Sequence, residues 1–350
     1  MTFKQLMLGT SALIGAGVLT AGATLPAGAA EVLPGGYPDL TISGFARFRA
    51  HGGDIKEARS SDTLSNELDF SNDTEVHVIA RAKDEQTGLE YGGTIEFEAD
   101  TNRNDNTDET WVFLRGGWGE VRLGDEDGPT DASAVGAHTI AAGTGGLDGS
   151  IVDTTAGTPT FKLRNSSDAT KIRYYTPSFG GFSVGVSYTP QQDSVNSGAN
   201  NGDLLATTEV EAQNVVDGGL IYEGDFGGFG ITAALLGITG DLKESDSEFG
   251  DGSWHGVQGG LATTIFGFKV AGSYATEKVG DVDKDFFNVG VGYGYGPVNL
   301  SVNYGKVLES SDEAQFDKPS NLVFSADYAL APGLVLAGDV GIFDNDLRDD

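Results

Sequence analysis

Charged side chains of opposite sign form two groups that could act together. Acidic residues open the longest polar stretch, 125–168, and they are Asp125, Glu126, Asp127 and Asp131. Basic residues occupy alternating positions in the flanking segments, and they are Arg47, Arg49, Arg81, Lys83, Arg122, Lys171 and Arg173. Facing acids and bases create a transverse field that orients polar solutes without any bond-making step. We interpret the two groups as a candidate constriction; the alternative is a set of solvated charges, some paired to hold the polar stretch.

Residues suited to covalent or metal chemistry are few. The absence of cysteine excludes disulfides and thiolate metal sites. The histidines, His51, His77, His138 and His255, are widely separated, and we predict that none has a partner at metal-ligand spacing. No G-x-S-x-G motif is present, and the glycines of FGGFGITAA are typical of a hairpin turn. We therefore predict no enzyme, no catalytic residue and no resident metal or cofactor.

Calcium is the one ion for which the sequence supports a hypothesis. Ca²⁺ prefers several oxygen ligands, and the long polar stretches carry many carboxylates, among them Asp54, Glu57, Asp62, Glu309, Asp312 and Glu313. No 12-residue calcium loop is present, so the alternative is that these loops are simply solvated.

The elements that must position the charged groups are β-strands. In Thr41–Arg49, Ile42, Ala46 and Phe48 alternate with polar or basic residues, and the same period of two recurs along the chain. Turn residues separate segments of about ten residues. The pattern predicts fifteen strands, at 39–50, 73–83, 89–99, 109–116, 119–124, 169–177, 182–189, 213–225, 229–239, 254–265, 268–277, 285–295, 298–308, 319–330 and 333–343.

The connections between these strands alternate in length. The tight ones are 86–88, 117–118, 178–181, 227–228, 266–267, 296–297 and 331–333, and the long ones are 51–72, 100–108, 125–168, 190–212, 240–253, 278–284 and 309–318. A soluble sandwich explains the alternating faces but not this regularity, which is typical of a transmembrane antiparallel β-barrel. Aromatic residues near strand ends, including Trp111, Trp118, Phe179, Trp254, Phe266 and Tyr295, are candidates for interfacial girdles.

The two ends of the chain carry separate predictions. Residues 1–30 have a basic start, an apolar middle and a small-residue exit, which predicts a cleaved secretory signal peptide followed by one barrel domain over 31–350. No later apolar run is long enough for a spanning helix. Bacterial single-chain barrels have even strand numbers, so we expect a sixteenth strand beyond Asp350, unless the strands are miscounted by one. The net charge of −31 argues against nucleic-acid partners, and we predict none.

Two segments resemble a known family. DETWVFLRGGWGEVRLGDEDG at 108–128 and KIRYYTPSFGGFSVGVSYTP at 171–190 are similar to the general-diffusion porins of alphaproteobacteria, the Rhodobacter type. The resemblance covers essentially the whole mature chain in element order. It implies a homotrimer of 16-stranded barrels in the outer membrane, with residues 125–168 folding inward to narrow the pore. That family ends in a strand with a terminal aromatic residue, whereas this chain ends Arg348-Asp349-Asp350.

Three functions from different classes follow. The first is a water-filled outer-membrane channel for passive diffusion of ions and small hydrophilic solutes, in contact with lipid. The second is a structural or adhesive outer-membrane barrel with a plugged lumen. The third is an outer-membrane hydrolase that uses serine and histidine.

Overall fold

The computed structural model describes residues 5–13, 38–54, 68–99, 107–149, 161–192, 212–242, 252–311 and 318–344. It is an all-β structure whose strands are β1 Gln5–Leu13, β2 Asp39–Asp54, β3 Leu68–Lys83, β4 Glu90–Glu98, β5 Thr110–Gly116, β6 Gly119–Asp125, β7 Thr170–Tyr175, β8 Phe182–Gln192, β9 Ala212–Asp225, β10 Phe229–Leu242, β11 Gly252–Ile265, β12 Phe268–Val279, β13 Val282–Tyr295, β14 Val298–Ser310, β15 Ser320–Ala331 and β16 Leu334–Asp344. None of the helices within these ranges is long and apolar enough to cross a bilayer.

The strands form one closed antiparallel barrel. Each strand pairs with its neighbour in the chain, and β1 pairs with both β2 and β16. Closure satisfies the backbone hydrogen bonds of the first and last strands, which an open edge would leave unpaired. The predicted strands are confirmed as β2–β16, because alternation of apolar and polar residues reports directly which stretches are two-faced.

β1 was not predicted as a strand. It lies within the segment 1–30 that we predict to be a signal peptide, and it occupies the position between β2 and β16. That is the position in which the sequence predicts a further strand. Its pairing does not test either prediction about the ends of the chain, and both stay predictions.

One predicted connection is wrong. We expected a long loop at 278–284, but β12 and β13 extend until only Gly280 and Asp281 separate them. Val279 pairs directly with Val282, and Gly280 adopts φ 58°, a left-handed conformation that glycine accepts without strain. The polar residues there obscured the strand ends because ladder hydrogen bonds continue past the apolar alternation.

The two faces of the barrel differ in character. Outward residues in mid-strand are apolar and exposed, such as Leu235 at 59%, Leu261 at 55% and Val291 at 52%. Inward positions on β9 and β14 include buried polar residues such as Asp217 and Asn303. An apolar exterior around a polar interior is the arrangement of a barrel that stands in lipid.

The aromatic residues divide between the two faces. Trp118, Phe179, Phe266 and Tyr295 are exposed at the ends with tight turns, as expected of an interfacial girdle. Trp254 is fully buried, and Trp111 has the Arg122 guanidinium 3.9 Å from its ring centroid. These two tryptophans are therefore not girdle residues, because they face the interior.

Candidate functional site

The connection between β6 and β7 contacts the inward face of the barrel. We call residues 125–168 the inner loop; its described parts are 125–149 and 161–168. It contains the short helix α1 Pro129–Ala132 and two 3₁₀ turns, Ala137–Ile140 and Gly146–Asp148. Proline at the first position of α1 suits that helix start, because its missing N–H would have no partner there.

Inward side chains hold the backbone of the inner loop along the wall. Asn288 accepts from Ala137 N at 2.7 Å, and Asn303 donates to Ala137 O at 2.7 Å. The other backbone donors and their acceptors are Thr130 to Asp217, Ala142 to Ser301, Gly143 to Asp327, Thr144 to Asp339, Leu163 to Gln258 and Arg164 to Glu277. These acceptors lie on β9 and β11–β16, so one irregular segment is tied to much of the wall. A buried backbone without such partners would lose the hydrogen bonds it makes with water.

Two inward glycines allow the loop to approach this wall closely. A Cβ at Gly260 would collide with the Val135 carbonyl, and a Cβ at Gly305 would collide with the Phe161 ring. The absent side chain is what admits the loop at these positions.

The root of the inner loop is a buried cluster of charge. Glu126, of which 1% is exposed, accepts from Arg122 at 3.1 Å and Arg173 at 2.7 Å. Arg173 also donates to the Asp127 carbonyl at 2.7 Å, and Lys171 donates to the carbonyls of Glu126 and Ser167. The bases of β6 and β7 therefore bind the loop directly, instead of facing it across open space.

Within the loop, Lys162 joins two acids. Its Nζ lies 2.6 Å from Asp131 Oδ1 and 2.9 Å from Asp148 Oδ2. The two carboxylates outweigh the effect of burial and raise the pKa of Lys162 above its ordinary value. Asp125, at the end of β6, accepts from the Thr170 hydroxyl at 2.5 Å.

Three carboxyl groups meet where β5, β6 and β7 adjoin the loop. One oxygen from each of Glu109, Asp127 and Asp168 lies within 4.8 Å of the others. Burial, reinforced by the Asp127 and Glu96 carboxylates, raises the pKa of Glu109 to about 8. Burial and the Asp131 and Asp168 carboxylates raise the pKa of Asp127 to about 8. Both shifts favour the protonated form of Glu109 and Asp127 at neutral pH.

This cluster predicts that the stability of the fold falls as the pH rises from about 4 to about 8. In the unfolded chain, Glu109 and Asp127 bind protons only below their ordinary pKa values near 4. In the folded chain they bind protons up to about pH 8, so the folded state holds extra protons between about pH 4 and pH 8. The contribution of these protons to the free energy of unfolding is fully present below about pH 4 and is lost as the pH rises through 8. We expect the melting temperature in detergent to fall between pH 6 and pH 9, and to fall less in Glu109→Gln. An identical fall in both proteins would contradict the protonated cluster.

The remaining basic residues lie away from the loop root. Arg47 and Arg49 both bind Asp73, the former at 3.2 Å, on the wall formed by β2 and β3. Arg81 and Lys83 are exposed near the tight turn after β3, and they form no ion pair with another described residue. The structure thus brings Arg122, Lys171 and Arg173 to the loop acids and separates the other four bases from them.

Sequence reasoning missed several residues of this interior. Inward polar residues interrupt otherwise apolar strands, and Asp217, Asn288, Asn303 and Asp339 are the buried examples that hold the loop. Each of the four occupies an inward position of its strand, and this placement was the sign in the sequence that they face the interior. The prediction that no histidine has a partner at ligand spacing is wrong for His77, whose Nε2 lies 2.9 Å from Glu75 Oε2 and 3.4 Å from Glu96 Oε2.

Most of the carboxylates that we proposed as calcium ligands lie outside the described residues. Glu57, Asp62, Asp312 and Glu313 lie outside the described residues, and only the backbone of Asp54 is described. Glu309 is exposed at the end of β14. Calcium binding by these loops stays a prediction.

Comparison with known proteins gives consistent matches. The family model described as "Gram-negative porin" matches residues 10–348. An uncharacterized protein of Rickettsia typhi is 24% identical over 267 residues, which cover 63% of this chain and 58% of that protein. This chain therefore spans less than two thirds of that relative.

Solved structures share the fold at low identity. A triple mutant of the Rhodopseudomonas blastica porin is 14% identical, with a TM-score of 0.54 over 87% of this chain and 99% of that chain. The trimer form of the outer membrane protein OmpT of Vibrio cholerae is 11% identical, with a TM-score of 0.50 over 99% and 98% of the two chains.

Proposed function

This chain belongs to the Gram-negative porin family of outer-membrane channels, and from that premise we propose that it conducts ions and small hydrophilic solutes passively through a lumen narrowed by the inner loop. The observation that carries the proposal is the row of hydrogen bonds from β9 and β11–β16 to the loop backbone. A segment held against the inside of a barrel removes cross-section from any path through it.

The wall formed by β2–β4 favours an open lumen rather than a plugged one. On β2–β4, the side chains of Arg47, His77 and Glu96 keep 36%, 23% and 20% of their surface exposed. The described parts of the inner loop form no hydrogen bond with the described residues of β2–β4. The space beside this wall is therefore available to water and solutes.

The charges favour cations as the preferred ions. Acidic residues number 52 against 21 basic ones, and several bases of the interior are already engaged by Asp73 and Glu126. Because paired bases offer little net field to a passing anion, the remaining acids raise the local concentration of cations.

The other two functional hypotheses lack comparable support. Among the described residues no histidine is hydrogen-bonded to a serine hydroxyl; His77 bonds Glu75, and His138 bonds the Ala134 carbonyl. A serine hydrolase needs its nucleophile within reach of a base. We assign the chain no catalytic step.

We also propose a homotrimer, supported by the trimeric form of the V. cholerae relative in fold. The sequence resemblance to alphaproteobacterial porins implies the same assembly. A detergent-corrected mass of one chain in solution would refute it.

Chemical modification of the inner loop tests the proposed constriction. Asp148 is exposed on the loop, with 38% of its side chain accessible, and the chain has no native cysteine. We expect the single-channel conductance of Asp148→Cys to fall when a bulky trimethylammonium thiol reagent is attached, because the adduct occupies the narrowed path.

The control for this experiment is Ser178→Cys, in the exposed turn between β7 and β8. It should react fully, as judged by mass, and keep its conductance. If Asp148→Cys also reacts fully and its conductance is unchanged, the inner loop does not narrow the lumen.

A further inference from the structure

A histidine and two carboxylates meet on the open wall of the barrel, beside Glu109 of the carboxyl cluster at the loop root. Glu75 and His77 are two residues apart on β3 and therefore share the inward face. Glu96 on β4 is the cross-strand partner of His77. One ligand atom from each residue lies within 4.8 Å of the other two.

The spacing of these atoms suits a small metal ion. His77 Nε2 lies 2.9 Å from Glu75 Oε2 and 3.4 Å from Glu96 Oε2. A tetrahedral Zn²⁺ with bonds of about 2.0–2.1 Å separates its ligand atoms by roughly 3.3 Å. Only small side-chain adjustments would bring all three ligands onto one ion.

The local charge also favours a cation. Glu75 and Glu96 both contact His77 Nε2, and neither forms an ion pair with a lysine or arginine among the described residues. Arg47 and Arg49, on the adjacent strand β2, are engaged by Asp73. A second group, Asp73, Glu75 and Glu98, shares Glu75 on the same wall.

The histidine ring is oriented and accessible. Phe45 packs against it edge to face, with ring centroids 6.4 Å apart and an interplanar angle of 86°. His77, Glu75 and Glu96 keep 23%, 17% and 20% of their side chains exposed. An ion in the lumen can reach the ligands directly.

We propose that Glu75, His77 and Glu96 form a binding site for a divalent transition-metal ion of the Zn²⁺ type on the open wall of the barrel. Imidazole with carboxylates selects such ions over Ca²⁺ and Mg²⁺, which prefer oxygen ligands alone. Three protein ligands leave a fourth position for water or a solute. The site does not depend on the proposed constriction.

Isothermal titration of Zn²⁺ into untagged, detergent-solubilised protein tests the site. We expect about one ion per chain at low concentration, and at least about a 100-fold loss of affinity in His77→Ala, because even outer-shell changes cost 10–100-fold. Glu96→Gln should weaken binding in the same direction. A tenfold excess of Ca²⁺ should not displace the ion.

The matched control is His255→Ala, an exposed histidine on β11 whose loss should leave Zn²⁺ binding unchanged. Circular dichroism should show that each variant keeps the barrel. Absence of Zn²⁺ binding to the unaltered protein would overturn the proposal. Binding that survives in both His77→Ala and Glu96→Gln would place the ion elsewhere and overturn it equally.

Discussion

Replacing Glu126 by alanine is expected to lower the free energy of unfolding by about 3–5 kcal/mol, the cost of breaking a buried ion pair. The side chain is 2% exposed and accepts from Arg122 and Arg173. Its loss leaves Arg173, itself 6% exposed, without its carboxylate in a region poor in water. Arg122 keeps a second partner, Glu120 at 2.7 Å, so Arg173 is the guanidinium that loses its ion pair, with Lys171 close by on the Glu126 backbone carbonyl.

Denaturant unfolding in detergent, followed by circular dichroism, measures this effect. The matched control is Glu223→Ala, an exposed glutamate on β9 whose removal should change the stability by less than about 0.5 kcal/mol. Equal unfolding midpoints for the two variants would contradict the assignment of Glu126 as the buried anchor of the inner loop.

The strands could be predicted because a period of two is a local property. β10 to β16 carry apolar outward residues such as Leu235 and Val291, and their alternation is visible without any knowledge of partners. The ends were less certain, as at 278–284, where polar residues continue the ladder into a two-residue turn. Polarity alone does not separate a solvated strand end from a loop.

The candidate site was predictable only in part. The sequence grouped acids near 125–131 with bases on the flanking strands as a candidate constriction, and in the structure Arg122 and Arg173 bind Glu126 at the loop root. The direct contact of Arg122 and Arg173 with Glu126 could not be predicted from the sequence, because it depends on how the loop folds back onto β6 and β7. The contacts of Asn288 with residue 137, 151 positions away, likewise follow from barrel closure.

The surroundings of His77 likewise could not be predicted from the sequence alone. Glu75 is close in sequence, but Glu96 reaches the histidine only through the register of β3 and β4. Searching for ligands along the sequence alone overlooks such cross-strand neighbours.

The purified protein is expected to produce stepwise conductance in a planar lipid bilayer. The barrel closes completely, its outward face is apolar, and the wall at β2–β4 keeps exposed polar side chains. A lipid-facing exterior places the barrel across the membrane, and the polar interior admits water and ions. Each inserted assembly should therefore add a discrete current increment, and a salt gradient should give a reversal potential of the sign set by cation preference.

An open path through the barrel can be measured as the current through a bilayer to which the purified, folded protein has been added. We predict discrete, stable current steps that are absent with heat-unfolded protein at the same concentration. A bilayer that stays electrically silent, although the folded protein is shown to have inserted, would mean that this barrel encloses no open aqueous path.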